Sequence, residues 1–192
     1  MGSLLNICVY CSSSNKLDHA YCDLAWELGR SIGERGHTLV YGGTSIGLMG
    51  LVALGVHDAG GRVIGIIPRR IHDRGVTYQA ADEVVLTADL RERKAVMDQH
   101  SDAFIALPGG FGTLEEILEA ITHKQLQFHN KPVVLINFRG FYDSLLAQFE
   151  RSYVEQFARP VYRELYAVVE SAPAALGYIE TYSPPELGNK YE

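Results

Sequence analysis

The stretch that most limits what this chain can fold into is Asp102–Gln125, DAFIALPGGFGTLEEILEAITHKQ, which divides into a strand, a glycine loop and a helix. Ala103 to Leu107 is a short apolar run of the kind buried in a parallel sheet, and Pro108 ends it because proline has no ladder hydrogen bond to donate. Gly109, Gly110 and Gly112 carry no Cβ to obstruct a ligand, so the amides that follow can point into open space. Thr113 is predicted to open a helix whose apolar positions Leu114, Ile117, Leu118 and Ile121 recur at helical spacing. Free amides at a helix N-terminus behind a glycine turn form an anion site, and phosphate is the usual anion. Glu115 and Glu116 then fall in the first turn of that helix, where the dipole favours them but a phosphate would be repelled. Two readings stay open. Thr113 and Glu116 have the spacing of a capping box; alternatively, a ligand presents phosphate at one end and, at the other, a sugar hydroxyl or an attacked carbon that uses a carboxylate.

The rest of the chain alternates strand and helix around this stretch. Leu4 to Tyr10 reads as a first strand, Ser12, Ser13, Ser14 and Asn15 as its loop, and Asp18 to Arg35 as a helix. Ser12 and Ser13 suit either a ligand contact at a strand end or an ordinary turn. Thr38 to Tyr41 is a second strand, followed by GGTSIGLMG and a helix over Leu48 to Ala59. Gly43 and Thr44 therefore sit in a second glycine-rich strand-to-helix turn, and two such turns on one sheet edge imply a shared crevice. Val63 to Ile67 is a third strand, and the polar stretch after Pro68 is long enough to read as a functional or mobile loop. Glu83 to Leu86 is a short strand, Asp89 to His100 a helix, Lys131 to Ile136 a strand, Phe141 to Phe157 a helix, Leu165 to Val169 a last strand and Ala172 to Tyr182 a terminal helix. Asp89 with Arg93, and Lys94 with Asp98, have the four-residue spacing of weak surface ion pairs. Alternating elements of this kind build a parallel α/β sheet with its strand-end loops on one edge. With 192 residues, 47% of them hydrophobic, the expectation is one domain over residues 1–182 and a polar tail over 183–192.

Several function classes are excluded. A net charge of −6 does not supply the basic face a nucleic-acid surface requires. The chain has no apolar run of membrane-spanning length, and MGSLLNICVY has neither a basic leader nor a cleavage signal, so a cytoplasmic location is expected. Cys8, Cys11 and Cys22 are expected to remain thiols; Cys8 and Cys11 have the spacing of half a zinc site, but no second pair completes it, and no metal is expected. Gly110 and Gly112 begin a dinucleotide fingerprint that Glu115 interrupts. Ser12 lacks the flanking glycines of an esterase elbow, and no glycine loop ends in the Lys-Ser or Lys-Thr of a P-loop.

Pro108, Gly109, Gly110, Gly112, Thr113 and Glu116 spell PGGxGTxxE, preceded by Arg93, Lys94 and Met97 as RKxxM. With CVYCSSS, YGGTSIGLMG and IGIIP, these motifs make nearly the whole chain resemble the Lonely Guy (LOG) family of cytokinin riboside 5'-monophosphate phosphoribohydrolases, which are often labelled lysine decarboxylases. The resemblance implies a Rossmann-like, doubly wound parallel sheet with helices on both faces. It implies a homodimer whose sites are completed at the interface, and hydrolysis of the N-glycosidic bond of an N6-modified, AMP-like nucleotide without a cofactor. It further implies that Gly109, Gly110, Phe111, Gly112 and Thr113 bind phosphate, that Arg93 and Glu116 are catalytic, and that Lys94, Glu115 and Thr122 line the nucleotide site. Gln79 stands where plant members commonly have a glutamate. Glycosidic cleavage builds positive charge on the sugar, which a carboxylate stabilises, while an arginine can engage phosphate or the departing base. Decarboxylation would need a Schiff-base lysine in a cofactor motif, and Lys94 and Lys124 near the motifs sit in none. A non-catalytic nucleotide or nucleotide-cofactor carrier would use the glycine loops but have no need of Arg93 and Glu116.

Overall fold

Among the described residues, seven short apolar runs bounded by glycine, proline or polar turns become strands. They are β1 (Asn6–Tyr10), β2 (Thr38–Tyr41), β3 (Arg62–Pro68), β4 (Glu83–Thr87), β5 (Ala103–Ala106), β6 (Val133–Ile136) and β7 (Ala167–Val169). The structure, a computed structural model, describes residues 3–188. All seven strands pair in parallel in one sheet of order β4-β3-β2-β1-β5-β6-β7. The chain builds outward from β1 to β4, then crosses back to place β5 on the other side of β1. The switch point therefore lies between β1 and β5, paired from Ile7↔Ala103 to Tyr10↔Ala106. The loops leaving these two strands diverge above it, which opens the crevice where ligands of such sheets bind.

The helices are α1 (His19–Glu34), α2 (Gly47–Asp58), the single turn α3 (Arg69–His72), α4 (Leu90–His100), α5 (Phe111–Gln125), α6 (Asp143–Val154) and α7 (Ala172–Glu180). Successive strand residues point to opposite faces, so Ile7 and Val9 join one core with α1, α2 and α7, while Cys8 and Tyr10 join the other with α4, α5 and α6. Strands buried on both faces read as continuous apolar runs for this reason. On the first face α1 and α2 cross at backbone contact: a Cβ on Gly29 would lie 2.1 Å from the Val52 carbonyl oxygen, and one on Gly55 2.3 Å from that of Trp26. Among the described residues no helix is long and apolar enough to cross a membrane.

Three expectations need correction. The helix expected over Phe141 to Phe157 is shorter, because the Asn137 side chain accepts a 2.6 Å bond from the Tyr142 amide and holds a 3-10 turn ahead of α6, and Gln156 takes a left-handed φ of 64° beyond its end. The long loop after β3 is ordered by α3 and by an antiparallel bridge between Thr77 and Thr44. The tail expected from residue 183 has a packed anchor, since Leu187 is buried in the second core; residues 189–192 of that tail lie outside the described residues.

Candidate active site

The glycine loop after β5 opens α5 at Phe111, two residues earlier than the Thr113 start predicts. Gly110 is the N-cap with φ −89° and ψ −155°, and no side chain caps the helix. Phe111, Gly112 and Thr113 are therefore the first three helical residues, whose amides have no intrahelical partner. Glu115 and Glu116 move into the second turn, and the Thr113–Glu116 capping box does not form. Thr113 is instead buried against the loop, so close that a Cβ on Gly109 would lie 2.1 Å from its hydroxyl oxygen. The other two glycines differ: a Cβ on Gly110 or Gly112 would meet nothing within 4 Å. The fold's own packing does not demand glycine there, and the space in front of the loop is open to a ligand.

The carboxylate of Glu116 turns toward α4. Arg93 donates from Nη2 to Glu116 Oε1, and the two side chains are only 12% and 11% exposed. Arg93 also donates from Nε to Met97 Sδ at 3.4 Å, and Met97 is fully buried. The guanidinium lies over the second glycine turn, where a Cβ on Gly42 would be 3.2 Å from Nη2. Burial pushes the Glu116 carboxyl up from its ordinary value; the Arg93 charge pulls it back only in part, and Glu115 adds to the rise. Next to this pair, Lys94 donates to both Glu115 and Glu119. Burial works against the Lys94 ammonium, but those two bonds outweigh it and leave its pKa above the ordinary value. The expected surface pairs of α4 are thus replaced by contacts to α5. Asp89 instead caps α4 by accepting from the Arg91 and Glu92 amides, and Asp98 pairs with Lys131.

Two hollows flank the glycine loop. One, of about 130 Å³, is lined by Tyr10, Cys11, Ser13, Gly42, Met49, Arg93, Met97, Gly112, Thr113 and Glu116 among others. The other, of about 280 Å³, is largely apolar and includes Ser12, Leu17, Tyr21, Gly109, Gly110 and Phe141. The structure therefore brings together Ser12, Ser13, Arg93, Met97, Gly109, Gly110, Gly112, Thr113 and Glu116. Ser12 also serves its turn, accepting from the Ser14 amide at 3.1 Å. Gly43 and Thr44 form the wall behind Gly42, with the Thr44 hydroxyl donating to Met49 Sδ at 3.3 Å.

The side chains of three candidates do not join the cluster. Gln79 is exposed on the segment beyond the Thr77 bridge. Phe111 is 92% exposed, and Thr122 is exposed with its hydroxyl donating to the Leu118 carbonyl of its own helix. Sequence reasoning missed the wall residues Tyr10, Cys11, Gly42 and Met49; the glycine pair of the second turn was the available signal for Gly42. Cys8 and Cys11 belong to opposite cores, so their side chains diverge, and burial pushes the Cys8 thiol up to about 12. Lys124 is buried at the other end of α5, roughly 12 Å along the helix from Glu116. Its ammonium lies 4.7 Å from the centre of the Tyr182 ring, and burial lowers its pKa to about 8.

A family profile described as "Possible lysine decarboxylase" matches residues 49–179. The chain is 49% identical over 178 residues to cytokinin riboside 5'-monophosphate phosphoribohydrolase LOG3 of Arabidopsis thaliana, covering 93% of this chain and 83% of the relative. It is 46% identical to the probable enzyme of that name LOGL6 of Oryza sativa subsp. japonica, covering 93% and 71%. Among solved structures it is similar in fold to the molybdenum cofactor binding protein of Rippkaea orientalis, with TM-score 0.71, 24% identity and coverage of 93% and 97%. The molybdenum cofactor carrier protein of Chlamydomonas reinhardtii gives TM-score 0.70 at 23% identity, covering 92% and 96%.

Proposed function

Because this chain belongs to the Lonely Guy family, shared with plant cytokinin riboside 5'-monophosphate phosphoribohydrolases, we propose that it hydrolyses the N-glycosidic bond of N6-modified adenosine 5'-monophosphates. The products are free base and ribose 5-phosphate. The observation that carries this reading is the buried Arg93–Glu116 pair beside an open glycine loop. The amides of Phe111, Gly112 and Thr113 take the 5'-phosphate. Water adds at C1' as the bond to the base nitrogen breaks; the base leaves with the bonding electrons and takes up a proton. Positive charge grows on the ribose in between, and the Glu116 carboxylate, held in place by Arg93, stabilises it. Decarboxylation does not fit the lysines. Lys94 is kept protonated by two carboxylates, whereas a Schiff-base lysine must present a neutral amine, and Lys124 is sealed away under Tyr182.

The phosphate role predicts how the enzyme treats a truncated substrate. Isopentenyladenosine monophosphate should be turned over, and isopentenyladenosine should lose turnover as well as affinity, because binding energy at the phosphate orients the reacting centre. Steady-state release of isopentenyladenine from the two compounds checks this; equal kcat/KM for both would remove the loop from the mechanism.

The same reading makes the protein a homodimer with sites completed at the interface. Phe111, Glu115, Leu118 and Thr122 form one exposed stripe along α5, spaced by four, three and four residues, on which Phe111 and Leu118 carry apolar surface outward beside the site. Neither hollow alone reaches the volume of about 300 Å³ at the low end of small-molecule sites, which a second wall would supply. Sedimentation at assay concentration should show a dimer, and a fully active monomer would overturn the shared site. A cytoplasmic location belongs to the same reading, and cell fractionation would check it.

A further inference from the structure

Away from the glycine loop, one side-chain cluster ties a long segment to the wall of the site. His57, on α2, uses both ring nitrogens: Nδ1 lies 2.9 Å from the Tyr78 hydroxyl and Nε2 lies 3.1 Å from Asp82 Oδ2. An ionised carboxylate only accepts, so Nε2 carries a proton toward Asp82, and Nδ1 shares a hydrogen bond with the Tyr78 hydroxyl. The Tyr78 and His57 rings are stacked, with centres 5.5 Å apart. Asp82 Oδ2 also accepts the Val63 amide at 2.8 Å, which fixes the carboxylate to the start of β3. That bond, with His57 adding to it against a smaller desolvation effect, holds the Asp82 carboxyl below its ordinary value.

The segment gripped in this way is the one laid against the second glycine turn. The Ser45 amide donates to the Val76 carbonyl at 2.8 Å, the Tyr78 amide donates to the Gly43 carbonyl at 3.0 Å, and Thr77 bridges Thr44. His72 closes the other end, its Nδ1 lying 2.9 Å from the Thr77 hydroxyl. Thr44 in turn bonds Met49, and Gly42 underlies the Arg93 guanidinium. A continuous chain of contacts thus runs from the His57 ring to the cavity wall. The geometry points to His57 as a positioning residue: through Tyr78 and Asp82 it holds Val76–Asp82 against the turn between β2 and α2, and so fixes the Gly42 and Met49 wall of the Arg93–Glu116 cavity. This role rests on the hydrolase reading only for its kinetic consequence.

The test compares wild type with His57→Ala, His57→Gln and Tyr78→Phe by amide hydrogen exchange, AMP affinity and turnover. In His57→Ala the Ser45 and Tyr78 amides should exchange faster by on the order of tenfold, while β1 and β5 keep wild-type protection. AMP affinity should fall and KM rise by on the order of tenfold, with kcat within about threefold of wild type. Glutamine can accept from Tyr78 through its oxygen and donate to Asp82 through its nitrogen, so His57→Gln should recover most of both losses. Tyr78→Phe keeps the ring and removes one bond; it should show the same pattern more weakly, and it answers the question if His57→Ala fails to fold. Unchanged exchange at Ser45 and Tyr78 would overturn the proposal, as would faster exchange with unchanged AMP affinity, or a defect that His57→Gln does not relieve. If wild type released no base, the hydrolase reading would fail, while exchange and AMP affinity would still decide the role of His57.

Discussion

Replacing Glu116 by glutamine is expected to lower turnover by on the order of 100-fold or more while AMP binding is largely retained. The substitution keeps the size of the side chain and an oxygen that can accept from Arg93, and it removes the charge that would face the ribose. Arg93 is left with a neutral partner in a site where both side chains are about one-tenth exposed, so a stability loss of about 1–3 kcal/mol accompanies the change. That loss is too small to unfold most of the protein, which separates the catalytic effect from a folding one. Arg93→Ala should also abolish most turnover, but less cleanly, because it strands a carboxylate that burial already disfavours and costs about 3–5 kcal/mol. The pH profile adds a sign. The Glu116 carboxyl titrates above its ordinary 4.5, so activity should be full above its raised pKa and fall as pH drops through it. The acid limb should disappear in Glu116→Gln. A Gln variant with near-normal turnover and an unchanged acid limb would assign the chemistry to another group.

The second large effect is expected at Gly112. A methyl group there meets no protein atom within 4 Å, and Gly112 is the second residue of α5, where alanine is the better helix former. Gly112→Ala should therefore fold with unchanged or slightly higher stability. The added carbon stands in the open space in front of the amides assigned to phosphate, so AMP affinity should fall by on the order of tenfold or more. A titration of AMP alongside thermal melting reads both quantities. Retained affinity in a stable Gly112→Ala protein would show that the phosphate lies elsewhere.

The strand, loop and helix of Asp102–Gln125 were legible because proline and glycine punctuate the backbone by rules that act over a few residues. The parallel sheet followed from alternation for the same reason. The turn of α5 that Glu116 occupies was not legible: a glycine N-cap leaves no side-chain signature, whereas Thr113 and Glu116 have the right spacing for a cap that does not form. The partners of Arg93 and Lys94 were hidden for a different reason. Asp89 and Asp98 sit at ideal local spacing, while Glu116 and Glu115 come from a helix made adjacent only by the return of β5 to the side of β1. One signal pointed inward, since Arg93 is one helical turn from the apolar Met97 and shares its buried face. The His57 clamp left no pattern at all, because its members lie 21 and 25 residues apart and meet through loop packing.

The central claim is that this site breaks a glycosidic bond rather than holding a nucleotide intact, and the identity of the products tests it most directly. Purified protein incubated with isopentenyladenosine monophosphate, followed by chromatographic separation, should yield isopentenyladenine and ribose 5-phosphate in equal amounts, with multiple turnovers per chain. Recovery of bound but intact nucleotide, with no free base above the buffer control, would contradict it and favour a carrier of the same fold.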